Sequence, residues 1–374
     1  DKVTNKLSNL KALKKKQPGT ILALMGCMVD ADTQALKNSF PQVDFFLRPQ
    51  EFDELLKHVE GNLIIAEPKA PLVSSQSPTA FVPIIQGCDN FCTYCIVPYR
   101  RGREKSRYFD DIVDEVQRLA QNGTKEVTLL GQNVDSYGHD LENKPDLADL
   151  LAEMNRIDGL ARVRFLTSHP KDMSQKLIDT IASLGKVCEH ISLPAQSGDN
   201  GILKAMRRGY TIEQYKDLIL RIRSAIPDVA LSNDIIVGFP GETSEQFGRT
   251  LDLLEEFRFD TVHVAAYSPR SGTIAAREMS DNVTTEEKQK RLQLIENLQE
   301  RIAIERNAQF LGQTVEVLVE GRKNNKWQSR TRSDKLVFFS GSDECLGKLI
   351  QVRIDHTGPW SFQGTPIMEQ LQVA

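Results

Sequence analysis

Three cysteines, Cys88, Cys92 and Cys95, fall within eight residues in the run Gln86-Gly87-Cys88-Asp89-Asn90-Phe91-Cys92-Thr93-Tyr94-Cys95. Their spacing is C-x3-C-x2-C, directly after an apolar run at 81–86 that reads as a strand. Three thiolates on one loop can each hold one iron of a [4Fe-4S] cubane, which leaves the fourth iron without a protein ligand. An iron open in this way can chelate the amino and carboxylate groups of S-adenosylmethionine (SAM). One electron delivered to the sulfonium then gives a 5′-deoxyadenosyl radical. Zinc and buried structural cysteines are the competing readings. Zinc normally takes four protein ligands, or an open site with histidine, and no histidine lies near this loop.

Such a loop needs a scaffold. Strand candidates at 81–86, 126–131, 161–166, 190–193, 229–237 and 261–267 alternate with helical patterns. In one of these, residues 110–122, Ile112, Val113, Val116, Leu119 and Ala120 share a face. Thr243-Ser244-Glu245-Gln246 is a capping box for the helix carrying Phe247, Leu251 and Leu254. Six β/α units predict an α/β fold, a parallel sheet curled into a partial (β/α)6 barrel, with the active site at the C-terminal strand ends. Residues 1–66 read as a partial N-terminal α/β domain, with a strand at 20–24 and a helix at 52–59. Residues 67–80 read as a linker, and 81–308 as the barrel with a long charged helix at 284–308. Residues 309–374 read as a small antiparallel β-barrel with strands at 315–320, 336–340 and 349–354.

The net charge of -4 excludes a uniformly basic nucleic-acid coat. Cations are instead local: Arg100, Arg101, Arg103, Lys105 and Arg107 after the cysteine loop, and Lys204, Arg207 and Arg208 after the fourth strand. A further run in the last domain holds Arg322, Lys323, Lys326, Arg330, Arg332 and Lys335 against Asp334, with Trp327 among them. Cations with an aromatic suit RNA, although such a run is more often only a solvated face. Three tightly spaced cysteines of six fit a reducing compartment better than a disulfide framework. Cys188 and Cys345 read as structural or incidental. No apolar run reaches the roughly 18 residues of a membrane span, so no membrane partner is expected.

Residues 82–107, Gly131-Gln132-Asn133-Val134, Leu193-Pro194-Ala195-Gln196-Ser197-Gly198 and Gly238-Phe239-Pro240-Gly241-Glu242 resemble the radical SAM methylthiotransferases over essentially the whole chain. The resemblance implies a partial N-terminal methylthiotransferase domain, a radical SAM barrel and a C-terminal RNA-binding TRAM domain, in that order. It implies two [4Fe-4S] clusters. Cys27 matches the third ligand of the auxiliary one, and the first two have no counterpart because the chain starts too late. The chain is therefore expected to be N-terminally truncated and to hold one completely ligated cluster.

By the same resemblance, Tyr94 lies near the SAM adenine, with loop packing as the alternative. Gln132 and Asn133 contact its amino group, Gln196 and Ser197 reach its ribose, and Gly238 and Glu242 approach its adenine. The TRAM resemblance favours Arg322, Lys323, Lys326, Trp327, Arg330 and Arg332 as RNA contacts. Gly131-Gln132-Asn133-Val134-Asp135-Ser136-Tyr137-Gly138 and Cys92-Thr93-Tyr94-Cys95-Ile96-Val97-Pro98-Tyr99 look most like the branch acting on N6-isopentenyladenosine beside the tRNA anticodon. The other branches act on threonylcarbamoyladenosine in tRNA or on a ribosomal-protein aspartate. An RNA-binding iron-sulfur protein without thiolation activity stays open. The expected partners are the tRNA anticodon loop and an electron donor such as flavodoxin or ferredoxin, for a cytoplasmic monomer.

Overall fold

The computed structural model describes residues 2–26, 28–29, 33–48, 51–62, 77–341 and 344–367. Cys27 and residues 67–76 of the expected linker lie outside them. The chain divides into two units, residues 1–72 with 96–102, and residues 73–95 with 103–374. In the first unit, strand Ala23–Met25 pairs in parallel with Phe45–Leu47. Leu7, Leu24, Val29 and Val43 form its core. A turn at Pro18-Gly19, closed by the Thr20 N–H on Gln17 O at 3.0 Å, delays this strand beyond the expected 20–24. The expected helix at 52–59 is Asp53–Asn62, and the short helix Val97–Arg101 also belongs to this unit.

The second unit holds the six barrel strands: Thr79–Pro83 (β1), Glu126–Leu130 (β2), Arg162–Phe165 (β3), His190–Ser192 (β4), Ala230–Val237 (β5) and Thr261–Ala266 (β6). β1, β2 and β3 pair in parallel, as do β4, β5 and β6, and the halves meet at a parallel bridge between Val163 and Val187. β1 begins two residues before the expected barrel boundary, inside the predicted linker. Side chains alternate along each strand. Val82, Val127, Leu129, Val163, Phe165, Ile191, Leu231 and Ile235 face the helices in the main core. Glu126, Thr128, Arg162, Arg164, His190 and Ser232 take the opposite phase and are buried polar groups.

Helix Phe109–Gln121 buries Ile112, Val113, Val116 and Ala120. Helix Ser244–Phe257 starts at the Thr243–Gln246 capping box. The long helix Thr285–Ala308, capped by Thr284, packs along β6. Its buried face mixes Ile295, Ile302 and Ala303 with Lys288, Arg291, Gln299 and Asn307. It is therefore part of the barrel wall.

The last five strands, Thr314–Lys323 (β7), Lys326–Thr331 (β8), Leu336–Phe339 (β9), Leu349–Thr357 (β10) and Phe362–Pro366 (β11), close a barrel in the order β7-β8-β9-β11-β10. Sequence reading missed β8 and β11. In β8 the buried positions are Trp327, Ser329 and Thr331, so the period of two is present but its inner face is half polar. This barrel meets the first one at the N-terminal ends of β2, β3 and β4. The buried Arg162 donates to Arg330 O at 2.8 Å and to Glu316 Oε1 at 2.8 Å. Arg164 donates to Thr331 O at 2.6 Å, Arg332 O at 2.7 Å and Glu126 Oε1 at 2.8 Å.

Candidate active site

The cysteine loop leaves the C-terminal end of β1, the opposite end of the barrel from that seam. Neighbouring elements fix it through its polar backbone. The Gly87 N–H donates to Gln132 Oε1 at 2.7 Å, from the end of β2. The Asp89 N–H donates to Glu104 Oε1 at 3.2 Å, and Arg103 clamps the Asp89 carboxylate at 2.6 and 3.0 Å. Thr93 is 1% exposed. Its N–H donates to Met206 O at 3.1 Å and its hydroxyl to Ala205 O at 2.9 Å, while its carbonyl accepts from the Ala275 N–H at 2.8 Å. The loop conformation is thus set before any ligand arrives.

Cys88, Cys92 and Cys95 are thiols here. Burial pushes the Cys88 thiol up to about 11, with Glu104 and the two other cysteines adding to the rise against a hydrogen bond from the Asn90 backbone. A thiol raised this far loses its proton when a metal replaces it. Three thiolates on one loop offer soft ligands for iron. The donor set suits a cubane that takes one iron from each thiolate. Asp89, Glu104 and His139 come within 4.8 Å of one another, but Arg103, the Asp89 N–H and Ser136 O already engage them.

A Radical SAM superfamily model matches residues 82–254, and a TRAM domain model matches residues 308–367. A "tRNA-2-methylthio-N(6)-dimethylallyladenosine synthase" of Dehalococcoides mccartyi (strain CBDB1) is 52% identical over 97% of this chain and 85% of its own length. The chain belongs to that synthase family. A synthase of the same name from Roseiflexus sp. (strain RS-1) is 50% identical over 97% of this chain and 78% of its own length. The solved structure of the cobalamin-dependent SAM radical enzyme OxsB covers 80% of this chain and 46% of its own, with a TM-score of 0.50 and 13% identity. That is a likeness of fold alone.

Against this synthase family, several expected SAM contacts have structural duties. Gln132 braces the cysteine loop. Ser197 Oγ accepts from the Asp199 N–H at 3.2 Å. Glu242 is buried, accepts from the Gly238 N–H at 2.6 Å and pairs with Arg291 at 2.7 Å, so it shapes the loop after β5. Gly238 has φ +68, and a Cβ there would sit 2.3 Å from Lys288 Cγ. Its missing side chain makes room for the long helix. Tyr94 packs against the cluster of Ile202, Met206, Phe239, Tyr267 and Ala275. Gln196 has φ +72 and joins β5 through its backbone.

Two buried polar atoms near strand ends have no hydrogen-bond partner. Asn133 is 2% exposed, donates to Asp172 at 2.7 Å and leaves Oδ1 without a partner. His169 is 6% exposed; its Nδ1 accepts from the Lys171 N–H at 3.2 Å, and its Nε2 has no partner. Burial, with Arg208 and Lys171 nearby, pulls the imidazole down to about 2, so it is neutral with the proton on Nε2. Asn133 offers an acceptor and His169 a donor, matching an ammonium and a carboxylate. Sequence reading passed over His169 because a single histidine without a motif carries no signal.

In the TRAM domain the expected RNA contacts separate. Arg332 pairs with Glu189 at 2.6 Å and donates to Val187 O at 2.6 Å. Arg330 pairs with Glu320 and Asp334 at 3.2 Å. Trp327 is 5% exposed in the barrel core, with Arg322 4.3 Å over its ring. These three have partners within the chain. Arg322 and Lys323 are exposed at the β7–β8 hairpin, whose turn at Asn324-Asn325 has φ +51 and +62. Lys326 beside it donates to Gln363 at 2.8 Å. The exposed tryptophan is Trp360, at 58%.

Proposed function

We propose that this chain methylthiolates C2 of N6-isopentenyladenosine next to the tRNA anticodon, using SAM both as radical source and as methyl donor. The observation that carries this reading is the braced loop of Cys88, Cys92 and Cys95 at the C-terminal mouth of the barrel, in a chain 52% identical to a synthase so named. When bound, the cluster supplies one-electron cleavage of SAM. The chain's own residues do the rest. Cys88, Cys92 and Cys95 would hold three irons of the cluster. Asn133 Oδ1 and His169 Nε2–H would take the amino and carboxylate groups of SAM, and Glu242 with Arg291 keeps the loop after β5 in shape.

On the TRAM domain, Arg322, Lys323 and Lys326 offer cations to phosphates, and Trp360 offers a face to an unpaired base. Anticodon-loop bases are single-stranded and can be splayed out without breaking a duplex. A buried isopentenyl group adds contact worth about 0.8 kcal/mol per methylene, which separates this substrate from plain adenosine. The electron donor is proposed to be a flavodoxin or ferredoxin, and the protein a cytoplasmic monomer. No helix among the described residues is long and apolar enough to cross a membrane.

The test offers isopentenylated tRNA, threonylcarbamoylated tRNA and the ribosomal protein in parallel to protein extended to the length of its relatives and reconstituted anaerobically. Methylthio product on the first alone is expected. Product only on either of the others would move the chain to another branch. SAM cleavage with no thiolated product on any would make it an RNA-binding iron-sulfur protein.

A further inference from the structure

A groove of about 530 Å³ runs beside the first half of β6, at the end of the barrel away from the cysteine loop. Among the described residues β6 pairs only with β5, so its other edge is open. The long helix forms the facing wall, and Trp360, 58% exposed, completes the lining. The turn that carries Trp360 is fixed in place. Its Gly358 N–H donates to Ser361 O at 3.0 Å. Asn307 Nδ2, from the long helix, donates to Gly358 O at 2.9 Å and to Pro359 O at 3.0 Å.

The groove is lined by hydrogen-bond acceptors in want of donors. Gln299 is 2% exposed, and its Nε2 donates to Phe259 O at 3.2 Å and Asp260 O at 3.4 Å, which fixes the amide's orientation. Its Oε1 is left buried with no partner. A buried acceptor in this state is costly until something donates to it. Gln293 and Asn297 satisfy each other at 2.9 Å. Glu296 and Glu300, on the same helix face, add two exposed carboxylates. No lysine or arginine lines the groove, so a phosphate has no place inside it. Cations lie beside it instead. Lys326 donates to Gln363 at 2.8 Å, which ties the cationic β7–β8 hairpin to β11, the strand that follows Trp360.

We infer that this groove is a base-binding site that takes an unpaired guanine from the bound RNA. This rests on the reading of the TRAM domain as the RNA-binding part. A strand whose phosphates follow Arg322, Lys323 and Lys326 can swing one base onto the Trp360 ring, with its edge toward Gln299 and the two glutamates. Guanine presents two adjacent donors there, N1–H and the 2-amino group. Adenine and cytosine bring one amino group beside an acceptor nitrogen, and uracil sets its single N–H between two carbonyls. Each of those three would turn an acceptor toward a carboxylate.

The experiment titrates the full chain with short uridine RNAs that carry one central guanosine, inosine or adenosine. The two tryptophans give two indole N–H signals by NMR, and Trp360→Phe identifies one of them. The guanosine RNA is expected to move the Trp360 signal and to bind about tenfold tighter than the inosine and adenosine RNAs. Gln299→Met, and separately Glu296→Gln with Glu300→Gln, should remove that preference. If Gln299→Met does not fold, the exposed glutamate pair decides. Equal affinity for the three RNAs, or a Trp360 signal that stays put while RNA binds, would overturn the site and leave the hairpin cations as RNA contacts. Failure to bind these RNAs and tRNA alike would defeat the RNA reading as well. A Trp360 signal moved by arginine amide and not by the guanosine RNA would make the groove a cation site and overturn the inference.

Discussion

Replacing Arg164 by alanine should uncouple the two barrels. The side chain is 4% exposed and makes three hydrogen bonds, to Glu126 Oε1 in its own barrel and to Thr331 O and Arg332 O in the other. Truncation leaves both carbonyls without that donor, each costing about 1–3 kcal/mol if still buried. Glu126 keeps only Arg162, at 3.9 Å, and breaking a buried pair costs about 3–5 kcal/mol. These terms overlap, so a loss of ~3–5 kcal/mol is expected, a large share of the ~5–15 kcal/mol that holds a domain folded. Urea unfolding followed by two signals reads it. Both tryptophans, Trp327 and Trp360, lie in the TRAM domain, whereas most helices lie in the radical SAM domain. The fluorescence transition should precede the far-UV transition in Arg164→Ala and coincide with it in the parent. The double variant Arg164→Met with Glu126→Met should recover part of the loss. A loss under ~1 kcal/mol with coincident transitions would refute the reasoning. The same seam means that cutting the chain at 309 would expose Arg162 and Arg164, so point changes test RNA binding more cleanly.

Trp327→Ala should lose ~3–5 kcal/mol of stability by opening a core cavity. Trp360→Ala should leave stability within about 0.5 kcal/mol and weaken tRNA binding roughly tenfold, as loss of one stacked base would; unchanged affinity would count against Trp360. Burial pushes the Asp135 carboxyl up to about 7, against hydrogen bonds from Ser168 and the His169 N–H. Its folded value exceeds the unfolded one, so its contribution is fully present below about pH 4 and is lost as pH rises through about 7. Asp135→Asn should flatten the stability profile across that window, and an unaltered slope between parent and variant would refute the assignment.

The barrel was legible because its strands and helices carry strong periodicity: the strand expected at 229–237 is Ala230–Val237, and the cap at Thr243 is in place. The cysteine loop stood out because three thiols on one loop have few other uses. Other features were hidden from the sequence for physical reasons. The strand Lys326–Thr331 alternates buried and half-buried positions, but its cations made it look like an RNA-facing run. Arg332 and Arg208 look alike in sequence as basic residues after a turn. Only the fold puts one against Glu189 and the other against Cys92. Gln132 and Glu242 stand at strand ends, where cofactors bind, yet their hydrogen bonds go to the loops that shape the site.

The most direct test of radical chemistry at adenine C2 uses isopentenylated tRNA carrying deuterium at that carbon. Reconstituted protein is given SAM and a reductant, and the 5′-deoxyadenosine formed is weighed by mass spectrometry. The account predicts 5′-deoxyadenosine one mass unit heavier than from unlabelled tRNA, and none from Cys92→Ala. Unlabelled 5′-deoxyadenosine from deuterated tRNA that becomes methylthiolated, or parent-rate cleavage by Cys92→Ala, would contradict it.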